Sequence, residues 1–218
     1  MSIRRWIKSA LVFFSLFFLW DYGPYYLVYF TKEEREWRKE REEERKARAE
    51  YSAYVGEIRY NFAQNMLENF QLVPSGQKGM MHAKVEMLGM NFTAYRRATV
   101  EEARALQLIV MDQFVKAIQA HEKIQPFLDE RPFSHNRISI AIDFRGPHGD
   151  YADGSVARIV NIHALASRRE NRNRLFYDAK DPYENSTVEL HNELYDEALK
   201  IVNASTFLNP YVHQTTPI

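Results

Sequence analysis

Cysteine is absent from all 218 residues. That excludes disulfides, a thiol nucleophile, a cysteine-ligated metal and a lipid-modified N-terminal cysteine. A domain facing an oxidising space would stand there without covalent staples, which suits a bacterial cell envelope better than a small eukaryotic secreted protein. Net charge is absent too: 29 basic side chains balance 29 acidic ones, so nothing marks a nucleic-acid partner. No G-x-S-x-G, Walker loop or G-x-G-x-x-G occurs, and no cofactor is implied. The seven histidines make no H-x-H or H-x-x-x-H pair, and His121-Glu122 lacks the second histidine of a zinc helix.

What is present begins with a hydrophobic run. Ala10–Trp20 reads ALVFFSLFFLW and follows Arg4, Arg5 and Lys8, the order of a secretory n-region and h-region. No small-residue cleavage site comes after it, so the segment is expected to stay on the chain. From Ala10 to Phe30 there are 21 residues, against the ~20 that cross a bilayer core. Asp21 and Gly23-Pro24 interrupt the span, which leaves an aromatic-rich interfacial anchor as the alternative. Residues 1–30 are therefore expected to be a single-pass, uncleaved membrane anchor.

Orientation is argued two ways. A signal-like N-terminus places the following domain on the non-cytoplasmic side, in the cell envelope or periplasm, and that is the expectation adopted. Counting Lys and Arg gives the opposite side, because eight follow Phe30 within twenty residues and three precede the span.

Residues 31–50, TKEEREWRKEREEERKARAE, predict a helix polar on every face. Thr31 and Glu34 have the spacing of a capping box, and Glu34–Arg38, Glu42–Lys46 and Glu44–Arg48 are favourable i,i+4 pairs. Eight acidic and eight basic side chains cancel between Lys32 and Glu50. With Trp37 as its one large apolar side chain, the segment is expected to be a solvated stalk of about 30 Å rather than a coiled coil.

The remaining 168 residues, 51–218, suffice for one domain with its own core. Tyr51, Val55, Ile58, Phe62, Met66 and Phe70 form a helical stripe, which Pro74-Ser75-Gly76 is expected to end. Ala83 to Phe92 reads as a strand bulged near Gly89. Thr99 and Glu102 cap a helix whose stripe is Ala103, Leu106, Val110, Phe114 and Ile118. Arg137–Phe144 alternates as a strand, 155–164 reads as its hairpin partner, and 174–178 as a third strand of the meander. Ser186 with Glu189 suggests a cap for a last helix reaching about Asn203. The order α-β-α-β-β-β-α predicts an α+β fold in two layers, a mostly antiparallel sheet with helices on one face.

The weak candidates for chemistry are few. Arg137, Ser139 and Asp143 share a strand, and His163 is expected on its neighbour, where together they would form a polar sheet-face site. His148, Asp150 and Asp153 loosely echo calcium-loop spacing but lack the closing glutamate; a Gly/Asp hairpin turn accounts for them. Glu189, Glu193 and Glu197 are expected to line a solvated helix face. The functional expectation is a membrane-anchored, non-enzymatic interaction or structural module. Its partners would be the membrane and other proteins, or further copies of itself, within a larger membrane assembly. The alternative is a membrane-tethered enzyme or small-ligand binder using the polar sheet face.

Overall fold

The computed structural model describes residues 23–146, 148–151, 156–162, 173–181, 183 and 186–205. By its contacts the chain divides into two units, Met1–Lys46 and Ala47–Ile218. The expected membrane segment falls largely outside the described residues. Among the described residues no helix is long and apolar enough to cross a membrane.

The first element, α1, runs from Gly23 to Phe70. It begins with Gly23-Pro24, where proline's missing N–H would have no intrahelical partner anyway. Thr31 therefore lies inside the helix and is not its cap. In the first unit Arg38 pairs with Glu34 at 2.7 Å, and Glu42 takes both Arg45 at 3.0 Å and Lys46 at 3.8 Å. The Arg41 guanidinium lies 4.4 Å above the Trp37 ring.

Within the second unit the stripe anticipated from sequence is buried from Tyr51 through Phe70. Gln71 ends the helix in the left-handed region at φ 56°, its N–H reaching the Leu67 carbonyl at 3.1 Å. Pro74-Ser75-Gly76 does not end the helix. It lies inside a strand, β1 (Leu72–Met81), at a register shift against β2 (Val85–Ala94). Proline is tolerated there because β1 is an edge strand, with no second neighbour among the described residues to require its N–H.

The capping box of α2 (Val100–Ala120) forms as its spacing implies: the Thr99 N–H donates to Glu102 at 2.8 Å, and the Glu102 N–H donates to the Thr99 hydroxyl at 3.2 Å. A hook follows, tied by the Asp129 N–H to the Val85 carbonyl at 3.1 Å, with Leu128 and Phe133 buried. Then come β3 (Ile138–Phe144), β4 (Val156–Ile162), β5 (Arg174–Lys180), β6 (Thr187–Leu194) and α3 (Tyr195–Ala204).

The fold is α+β, with a six-stranded mixed sheet in sequential order β1 to β6. Two strands beyond the expected ones appear, β1 and β6. The pairing of β2 with β3 is parallel, because α2 carries the chain back across the sheet between them; the other four pairings are antiparallel. Gly89 marks close approach to a neighbour rather than a bulge: a Cβ there would stand 2.5 Å from the Ser139 carbonyl oxygen. The core joins α1, α2 and α3 to Leu88, Met90 and Phe92 of β2 and to Ile138, Ile140 and Ile142 of β3. Phe62 of α1 bridges these layers, 6.0 Å from Phe92 and 4.7 Å from Phe114 between ring centroids.

Candidate functional site

Two polar constellations are built by the sheet, one on each face. On the core face, β5 and β6 pair Tyr177 with His191 and Leu175 with Glu193, so Tyr177 and Glu193 point under α2. Arg104 of α2 meets Glu193 there, its Nε donating to Oε1 at 2.7 Å, both side chains being buried. The Tyr177 hydroxyl donates to the same carboxylate oxygen. Burial, then the hydrogen bond to Glu193, pushes the Tyr177 hydroxyl pKa far up. His191, at the open end, sits 3.8 Å from Glu193 and 5.3 Å from the Tyr177 ring centroid.

One turn along α2, Gln107 donates to the Ile140 carbonyl at 3.0 Å and contacts Asn161 at 3.4 Å. Asn161 stands in for a piece of the β3–β4 ladder. Its Oδ1 accepts the Ile140 N–H at 2.6 Å, and its Nδ2 donates to the Ile138 carbonyl at 2.8 Å. Among the described residues these groups satisfy one another except for the buried Gln107 Oε1, which has no partner. Chemically the network is a clamp, fixing α2 over four strands.

The opposite face carries a cross-strand row set by register: Asp143 on β3, Arg158 on β4, Asp178 on β5 and Glu189 on β6. Arg158 and Asp143 lie 3.6 Å apart. The Arg158 guanidinium thus stands between Asp143 and Asp178, with Glu189 next along the row beyond Asp178. Burial first, partly offset by Arg158 and reinforced by Glu189, raises the Asp178 pKa above the usual carboxylate value. Lys78 of β1 is shifted down, by burial first and then by Arg158, with Asp143 acting against the change.

The sequence-derived candidates do not converge. Arg137 precedes β3 and staples the hook, 3.3 Å from Asp129 and 2.8 Å from Glu130. Ser139 is buried beside Gly89 of β2. Asp143 joins the row just described, about 13 Å along the strand from Ser139 at ~3.3 Å per residue. His163 and Asp153 lie outside the described residues. His148 and Asp150 occupy a turn in which the Gly146 N–H reaches the Asp150 carbonyl at 2.8 Å and Gly149 adopts φ +83°, a conformation suited to glycine. No group of three or more His, Asp or Glu among the described residues is placed to hold a metal ion.

Glu189 and Glu193 are not on a helix. Both belong to β6, and only Glu197 is helical, accepting from the Leu194 N–H at 3.1 Å at the start of α3. TVELHNEL alternates apolar and polar residues as well as it fits a helical stripe, and pairing with β5 decides between them. Arg104 and Arg158 carried no local signal, because their partners are far off in sequence, and the local spacing of Glu193 pointed to a solvated helix face rather than to the buried strand position it holds.

No protein-family model, curated protein or solved structure matches the chain.

Proposed function

We propose that the chain is a membrane-anchored, non-enzymatic interaction module. The observation that carries the interaction half of this reading is the edge of the sheet formed by β6. Among the described residues this strand has a neighbour on one side only, and Val188, Leu190 and Leu194 remain exposed on it, with Leu199 and Ile201 exposed on the following helix α3. An edge strand with exposed apolar side chains is a template for adding a strand or packing a partner. The anchoring half rests on the sequence alone: basic residues, then Ala10–Trp20, then the charged start of α1. The domain would sit on the non-cytoplasmic side, within a larger membrane assembly.

The test is topology. Paired C-terminal reporters, one active only outside the cytoplasm and one only inside, are read alongside carbonate extraction of the same membranes. An external, carbonate-resistant C-terminus is the expected result. An internal C-terminus overturns the orientation, and release by carbonate overturns the anchor.

A further inference from the structure

Arg59 of α1 is 7% exposed, yet among the described residues no carboxylate pairs with it. Three other half-buried or buried arginines of the domain, Arg104, Arg137 and Arg158, each meet an acidic side chain within 4 Å. Arg59 is held only by neutral groups of β1. Its Nη1 donates to Gln77 Oε1 at a long 3.3 Å and its Nη2 donates to the Lys78 carbonyl, while the buried Nε–H has no partner. Gly79 gives the guanidinium its room, since a Cβ there would stand 3.1 Å from Nη2. Burial alone lowers the Arg59 pKa; no charged neighbour contributes. Buried charges are ordinarily paired, because an unpaired one keeps its full desolvation cost.

Arg59 borders a groove of about 450 Å³ between α1 and β1, bounded also by Gly56, Tyr60, Gln64, Gln77 and Met90. This is the size range of small-molecule sites. Arg59 is the one charged residue among those lining it. We propose that the groove binds a small monocarboxylate with an apolar body, the carboxylate on Arg59 and the body between Tyr60 and Met90. A planar guanidinium fork matches a carboxylate. One positive charge balances one negative charge, whereas a phosphate dianion would keep an uncompensated charge. The Gln77 amide, whose Oε1 accepts from Arg59, supplies a neutral donor beside the guanidinium.

The site is separate from the anchor and from the β6 edge, so its failure would leave those readings standing. The test uses the full chain with methyl-labelled methionine, the Met90 signal assigned by Met90→Leu, titrated with phenylacetate. The expected result is a saturable Met90 shift, with phenylacetamide and inorganic phosphate each weaker by about tenfold or more. Arg59→Gln should weaken phenylacetate by about tenfold as well. Because Arg59 also holds β1, Gly56→Leu supplies the independent variant. A Cβ at Gly56 meets nothing within 4 Å, so the backbone accepts a side chain there, and a leucine would take up space in the groove that Gly56 lines. Gly56→Leu should abolish the Met90 response while raising the melting temperature. The proposal is overturned by an unsaturable phenylacetate response, by phenylacetamide or phosphate binding as tightly, or by Gly56→Leu binding like the parent chain.

Discussion

Arg104 and Glu193 are separated by 89 residues of sequence and meet at 2.7 Å in the core. This contact joins α2, central in the chain, to β6, the last strand in sequence and an edge of the sheet. Removing one partner leaves the other charged and buried. Arg104→Met or Glu193→Leu should each cost about 3–5 kcal/mol. The triple replacement Arg104→Met, Tyr177→Phe, Glu193→Leu removes every polar member of the contact and should recover most of that loss. Urea unfolding of the single and triple variants checks it. Equal losses in the triple variant would show that the pair is net stabilising rather than a matched set of desolvated charges.

Tyr177 predicts an alkaline limit. Burial and the hydrogen bond to Glu193 keep its hydroxyl protonated in the fold, while the unfolded chain ionises near pH 10. Above that pH the unfolded state holds fewer protons than the folded one, so stability falls as pH rises. The slope is about 1.4 kcal/mol per pH unit for one such group. The stabilisation is fully present below about pH 10. Tyr195, whose pKa is also raised, by burial and then by Asp112 and Asp196, acts in the same direction. Melting curves between about pH 9 and 11.5 should show a steep decline, and Tyr177→Phe should flatten it without removing the Tyr195 part.

Local sequence rules carried α2 and β3. A capping box and a helical stripe describe α2 from within its own residues, and strict alternation describes Ile138–Phe144. They failed at β1, where Pro74 and Gly76 have turn character by composition. Only pairing with β2, which places them at the edge, makes that segment a strand. They failed again at β6, whose residues satisfy two periodicities. The candidate sites were less legible still. Asp143 gains its meaning from Arg158, and Arg158 from Asp178, through register that no single strand encodes. Arg59 looks like an ordinary helix-surface arginine until β1 folds against it.

Gly89 and Gly56 predict opposite outcomes for one substitution. Gly89 lies opposite Ser139 in the parallel β2–β3 pair, where an added Cβ meets backbone oxygen at 2.5 Å. Backbone there cannot yield cheaply, so Gly89→Ala should destabilise by about 1–3 kcal/mol. Gly56 lies in a helix with open space around its Cβ position, so Gly56→Ala should stabilise by about 0.5–1 kcal/mol. Thermal melts of the two variants give the comparison directly. A stabilised Gly89→Ala would mean that β2 and β3 are not in this register.

The β6 edge decides the interaction reading. Leu190 is 52% exposed and Val188 is 44% exposed on a strand with one hydrogen-bonded neighbour. Apolar surface in that setting is favourable to cover, by a partner strand or by another copy of the chain. A lysine on an edge strand opposes such pairing at small cost to the fold, because an exposed substitution typically changes stability by about 0.5 kcal/mol or less. The full chain in mild detergent should therefore sediment as an assembly, and Val188→Lys with Leu190→Lys should return it to the monomer. Far-ultraviolet circular dichroism spectra of the two forms should agree, whereas the parent's urea midpoint should exceed the variant's by the stabilisation that assembly adds. If the variant sediments with the parent, β6 is not the surface that holds the assembly together. If both are monomers, that surface belongs to a different protein, and cross-linking in native membranes from position 190 should capture it in the parent background and lose it with Val188→Lys.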